Sequence, residues 1–145
     1  MATALFRALR LSVRKILEEG LEDRFKRHKR VAAAMRAAMS AIGLEPFVRD
    51  EIASTTLTSV RVPRGVRAAD LLKEMKDEHD TIMAGGVGPT EGKILRVGHM
   101  GTTASPRYVL PTISALEISL RKLGHPLQLD SGVAAAQRIL GQTSV

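Results

Sequence analysis

Hydrophobic positions recur every three or four residues through 3–19, where Leu5, Leu9, Val13 and Ile16 fall on one stripe. That period is helical. Glu18-Glu19-Gly20 marks an end or a break. A second helical pattern then runs through Leu21, Phe25, Ala32, Met35, Met39 and Ile42, with Gly43 as its C-cap. The two patterns are equally compatible with one long, bent helix. Pro46 and Asp50-Glu51 mark a turn. The run TTLTSVRVP, Thr55 to Pro63, is rich in β-branched residues and predicts a strand, with Thr58, Val60 and Val62 on its buried face. Arg64-Gly65 turns the chain, and residues 68–78 predict a short helix with Leu71, Leu72 and Met75 inward. Thr81 to Ala84 suits an edge strand, and Lys93 to Gly98 suits another. Ser105-Pro106 opens a helix, with Ser as N-cap and Pro in the first turn. Its stripe is Val109, Ile113, Leu116, Leu120 and Leu123, and Gly124 ends it. Between Gly132 and Gly141, Val133 to Leu140 predicts one more short helix. The order α, α, β, α, β, β, α is an α+β pattern: a small, mostly antiparallel sheet with helices on one face.

Composition narrows this picture. The chain has 145 residues, which suits one domain, and 44% of them are hydrophobic, enough for a core. Only 3% are aromatic, so that core must be aliphatic. Cysteine is absent, which excludes disulfides and thiolate chemistry and suits a reducing compartment such as the cytoplasm. No apolar run approaches the roughly 20 residues that cross a bilayer. Arginine every three or four positions from Arg7 breaks any signal-peptide core. An Arg-rich, acid-poor start also suits a transit peptide, but here the same pattern continues as an ordinary amphipathic helix.

The net charge is +7 and lopsided: residues 1–49 carry 11 Lys and Arg against 5 Asp and Glu, residues 50–145 carry 11 against 10. The densest patch is RFKRHKR, Arg24 to Arg30. It reads either as a nucleic-acid or acidic-partner surface or as a solvated helix face. Phe25 alone is too little for a base-stacking platform, and the nucleic-acid reading rests on charge only.

The stretch AGGVGPTEGKILRVGHMG, Ala84 to Gly101, holds six glycines in eighteen positions. It is not a phosphate-binding loop. A Walker A loop needs G-x-x-x-x-G-K-[ST]. Counting back from Gly92-Lys93, the first glycine falls on Val87, Ile94 stands where Ser or Thr is required, and a strand follows rather than a helix. The dinucleotide-binding fingerprint fails as well. His28, His79, His99 and His125 are scattered without ligand spacing, so no metal site is expected. No catalytic residue emerges either. Arg96 does stand out. It lies mid-strand, on the face opposite Leu95 and Val97, and shares that face with Ile94 and Gly98. There it can offer its planar fork to a carboxylate. A plain solvent-facing arginine is the more ordinary reading of the pattern alone.

GGVGPTEGKILRVGHMG resembles the C-terminal small domain of the class V aminotransferases, the fold-type I pyridoxal-phosphate enzymes that include alanine–glyoxylate and serine–glyoxylate aminotransferases. ALRLSVRKILEEGLEDRFKRHKRVAAAMRAAMSAIGLEPFV is similar to the family's interdomain helix and to the helix and turn that follow it. TTLTSVRVPRGV is similar to the first small-domain strand. The likeness covers residues 2–124. It implies a small domain over 1–124, with an interdomain-type helix over 1–20, and a tail over 125–145 that carries the short helix. It implies that Arg96 binds the substrate's α-carboxylate, and that Gly85, Gly86 and Gly88 form a turn near the active-site mouth. Lys93 matches a family lysine that is not the Schiff-base lysine. That lysine belongs to the family's large domain, so pyridoxal phosphate is the cofactor of the full-length family, while no cofactor and no activity are expected for this chain alone. The expected partners are a second copy in a homodimer or higher oligomer, or a separate large-domain chain, with an amino acid and a 2-oxo acid as substrates of the complete enzyme. The alternative is a stand-alone oligomerising or partner-binding module, because the stripe Leu5, Leu9, Val13, Ile16 has nothing to pack against in a small sheet domain.

Overall fold

The computed structural model describes residues 3–142. Two helices open it, α1 (Thr3–Glu19) and α2 (Leu21–Ala41). They are separate helices, because Gly20 stands between them at φ 82°, a left-handed conformation that suits glycine. After a loop come β1 (Leu57–Arg61), α3 (Ala68–His79), β2 (Ala84–Gly85), β3 (Ile94–Gly98), α4 (Pro106–Lys122) and α5 (Ser131–Leu140). None of the described helices is long and apolar enough to cross a membrane.

The sheet has the order β1-β3-β2 and is antiparallel throughout. The register sets Thr58 opposite Val97 and Val60 opposite Leu95. Since side chains alternate along a strand, these four share one face. All four are buried. Val60, Leu95 and Val97 meet Met35 and Met39 of α2, Leu71 and Met75 of α3, and Ile113, Leu116 and Leu120 of α4 in one core. That core is aliphatic, as the shortage of aromatics requires. The architecture is the expected α+β one.

Three local expectations need correction. The edge strand forms at Ala84–Gly85 rather than over Thr81 to Ala84. The Thr81 N–H instead donates to the Met75 carbonyl at 3.0 Å and so closes the end of α3, which leaves Ile82 84% exposed. Ser105 does occupy the N-cap of α4, but its hydroxyl makes no capping hydrogen bond. The last helix starts at Ser131, two residues before the expected Val133, with Asp130 as its N-cap at φ 67°.

The two terminal helices differ sharply in burial. None of α1 is buried, and Leu5, Phe6, Leu9 and Leu17 are each more than half exposed. In α5, Gly132, Ala135 and Ala136 are buried, and the helix packs against α2 and α4.

Candidate functional site

The site is built on β3, the central strand. Arg96 stands midway along it, half-buried, on the face turned away from Leu95 and Val97. Its cross-strand neighbours are Ser59 on β1 and Ala84 on β2. Both are small, and Gly98 two residues along is exposed. Arg96 Nε donates to the Gly85 carbonyl at 2.7 Å. That bond fixes the plane of the guanidinium. Gly85 is its one hydrogen-bond partner among the described residues. Nη1 and Nη2 are therefore left as donors, side by side in the geometry that matches a carboxylate.

The glycines after Gly85 are needed for two distinct reasons. A Cβ on Gly86 would lie 1.9 Å from the Thr90 carbonyl oxygen, so the backbone itself excludes a side chain there. Gly88 and Gly92 have φ 53° and 69°, the conformation that favours glycine. A positive φ is thus the reason for Gly88, while close backbone approach is the reason for Gly86. Thr90 closes the turn, with its hydroxyl donating to the Val87 carbonyl and accepting from the Val87 N–H. Lys93 Nζ donates to the Pro89 carbonyl at 2.9 Å, which ties the lysine to the same turn.

The far end of β3 is held by α2. His99 is fully buried, and its Nε2 shares a 2.8 Å hydrogen bond with the Thr58 hydroxyl. Its Nδ1 has no partner among the described residues. Burial holds this imidazole below the usual histidine range, with the nearby positive charge of Arg36 acting the same way. His28 of α2, 6% exposed, donates from Nδ1 to the Arg24 carbonyl, and its Nε2 accepts from the Gly101 N–H at 3.0 Å. Arg27 Nη1 donates to the carbonyls of Gly101 and Ala104 at 2.8 and 2.6 Å. The other edge of Arg27, together with Arg24, pairs with Glu19 at the end of α1. The hydrogen bond from Arg27 is the main reason the Glu19 carboxyl is pulled down to about 2. One chain of contacts therefore links α1, α2 and the turn that follows β3.

RFKRHKR is accordingly not a uniform solvated face. Lys26, Lys29 and Arg30 are exposed, but Arg24, Arg27 and His28 are spent on internal bonds. The sequence did hold a signal for this. His28 falls on the same three- and four-residue stripe as Ala32, Met35 and Met39. The remaining histidines serve the ends of elements. His125 Nε2 bonds the Ile42 carbonyl at 2.9 Å, and His79 lies in the last turn of α3. Among the described residues no three metal-ligating side chains come together.

This sheet, glycine turn and helix arrangement recurs in solved structures. The ureidoglycine–glyoxylate aminotransferase of Bacillus subtilis superposes with a TM-score of 0.90 at 32% identity, over 93% of this chain and 35% of that one. The pyridoxamine–pyruvate aminotransferase of Mesorhizobium loti gives 0.82 at 37% identity, over 86% and 32%. The L-aspartate–glyoxylate aminotransferase of Paracoccus denitrificans is 39% identical over 97% of this chain and 35% of its own length. The chain belongs to the class V aminotransferase family. It corresponds to the family's C-terminal small domain and spans about a third of the length of these relatives. No family model matches it.

Full-length members are pyridoxal-phosphate enzymes. Around Arg96 lie small side chains and backbone, Lys93 is engaged with Pro89, and no described carboxylate pairs with Arg96. A guanidinium so placed can pair with a carboxylate or a phosphate oxygen alike, while the small side chains beside it offer no face to a pyridine ring.

Proposed function

We propose that the chain is the substrate-recognition part of a pyridoxal-phosphate-dependent transaminase that moves an amino group between an amino acid and a 2-oxo acid such as glyoxylate or pyruvate. The observation that carries this reading is Arg96: half-buried, fixed through Nε, without a described acidic partner, and flanked by Ser59, Ala84 and Gly98. A guanidinium in that state has its desolvation cost partly met and its anion still missing. The α-carboxylate shared by amino acids and 2-oxo acids supplies it in bidentate form. The turn from Gly86 to Gly92 lies beside this face and forms the rim of the substrate's entry. The chain's share of the reaction is to orient the substrate through one end and to exclude water as the rim closes. Amino transfer itself belongs to the cofactor, held elsewhere in the complete enzyme.

The test is a chimera in which this chain replaces the matching third of the B. subtilis transaminase. It should transaminate glyoxylate, and Arg96→Ala should lower kcat/KM by roughly 100-fold while leaving the melting temperature near that of the parent chimera. An active chimera whose kcat/KM is indifferent to Arg96→Ala would sink the assignment.

A second reading, a module that binds a partner chain, has its own observation in the exposed stripe of α1. Its test is sedimentation of the purified chain. Association that weakens in a Leu5→Ser, Leu9→Ser double variant supports it, and a monomer at every concentration removes it.

A further inference from the structure

Positive charge gathers at one further place in the molecule, away from the sheet. Between the last turns of α1, the first turns of α2 and the start of α4 the chain leaves a cleft of about 450 Å³. None of its lining residues belongs to a strand, and Arg96 is not among them. α1 contributes Lys15 and Glu19, α2 contributes Arg24 and Arg27, and α4 contributes Arg107. These are four cations against one carboxylate. The carboxylate is fully engaged: Arg24 Nη1 donates to Glu19 Oε2 at 2.9 Å, and Arg27 donates to both oxygens through Nε and Nη2. The last nitrogen of Arg27 reaches the Gly101 and Ala104 carbonyls, so that side chain has nothing left to give. Arg24 is different. Its Nε and Nη2 have no partner among the described residues. Lys15 and Arg107 are exposed, and neither forms an ion pair among the described residues. The Ser105 hydroxyl, on the same lining, makes no capping bond.

A concave surface lined by one sign of charge focuses its field and concentrates the opposite ion. Glu19 offsets one of the four cations here, and three positive charges remain around a space open to solvent. The groups still able to donate are a guanidinium edge, an ammonium, a second guanidinium and a hydroxyl. They call for an anion with more than one charge and more than two acceptor oxygens. A carboxylate supplies one charge and two oxygens; a phosphate monoester supplies close to two charges and three strong acceptors. We propose that this cleft binds a phosphate dianion, free or as the head of a small organic monoester, with Lys15, Arg24 and Arg107 as its charged donors. Arg27 and Glu19 hold the wall in place and do not touch the ligand. Ile16 and the ring of Tyr108, also on the lining, give the organic part of a monoester an apolar surface. The volume falls within the roughly 300–1,000 Å³ of small-molecule sites, which leaves room for such a body beside the phosphoryl group. This site does not depend on the transaminase reading.

The experiment is an NMR titration of the full 145-residue chain at constant ionic strength, with inorganic phosphate and phenyl phosphate as the probes. Saturable amide shifts confined to Ser12, Lys15, Thr102, Arg107 and Tyr108, with a Kd of about 1 mM or tighter for at least one probe, are expected. Tighter binding of phenyl phosphate assigns the cleft to a monoester; equal or weaker binding assigns it to free phosphate. The double variant Lys15→Met, Arg107→Met changes two exposed side chains and should weaken binding by roughly tenfold or more, because it removes two charge-assisted contacts. The double variant Lys29→Met, Arg30→Met removes the same charge from an exposed part of α2 outside the cleft and should leave binding unchanged. The proposal is overturned if neither probe saturates, or if binding survives Lys15→Met, Arg107→Met. Equal weakening by the two double variants overturns it as well, since the attraction would then be that of diffuse positive charge.

Discussion

The first and last helices make an instructive pair. α1 carries the clearest amphipathic stripe in the chain and buries nothing. α5 is short, rich in alanine and glycine, and reads as part of a tail, yet it is seated in the core between α2 and α4. Periodicity reports that a segment can form a helix with an apolar face. It does not report whether the surface that face needs lies in the same chain. Small residues, conversely, give a weak periodic signal because they bury little area, but they allow helices to approach closely. Gly132 shows how closely: a Cβ there would lie 2.9 Å from Ile42 Cγ2 and 3.0 Å from Glu117 Oε1.

Deleting each helix in turn is the most severe way to break this comparison. Removal of residues 129–145 should strip the cover from α2 and α4 and abolish cooperative unfolding by circular dichroism. Removal of residues 1–18 should shift the melting temperature by only a few degrees. If the two truncations have equal effects, the contrast is wrong. Next comes Glu117, buried on α4, whose two carboxylate oxygens accept the N–H groups of Gly132 at 2.6 Å and Asp130 at 3.1 Å. Glu117→Ala leaves both donors without an acceptor and should cost about 2–3 kcal/mol in chemical denaturation. Leu9→Ser on α1 should stay within about 0.5 kcal/mol. Gly132→Ala should cost about 1–3 kcal/mol, because the added methyl meets Ile42 just past the end of α2 and Ile113 and Glu117 of α4.

The smallest effect concerns the tie that holds α1. The Glu19 carboxyl has an ordinary value of 4.5 and is drawn down to about 2 in the folded chain. A lowered carboxyl stabilises the folded form at all pH values above its unfolded value. That contribution is lost as the pH falls from 4.5 through about 2. The carboxyl-carbon NMR signal of Glu19 should titrate near 2, and Arg27→Met should move its midpoint back toward 4.5. A native midpoint already near 4.5 would remove the tie from the account.

Much of this was legible in the sequence. The helix ends at Gly20, Gly43 and Gly124 are all glycines with positive φ, and the alternation in Thr58, Val60, Leu95 and Val97 fixed which sheet face is buried. Arg96 could be placed on the opposite face by counting. What could not be read were contacts that join distant positions. Glu117 looks like any exposed helix acid until Asp130 and Gly132 fold back on it. Arg27 looks like one of many surface cations until Gly101 and Ala104 arrive 74 and 77 residues later. The need for Gly86 came from Thr90 rather than from its own dihedral angles.

Gly20 and the Glu19–Arg27 brace give α1 the mechanics of a lever. A helix of 17 residues is about 25 Å long at 1.5 Å per residue. A rotation of about 10° at its foot therefore carries the tip near Leu5 through about 4 Å. The fulcrum is bolted, through Arg27, to the turn that follows β3. Whatever grips the apolar tip of α1 thus pulls on a foot that Arg27 ties to the carbonyls of Gly101 and Ala104.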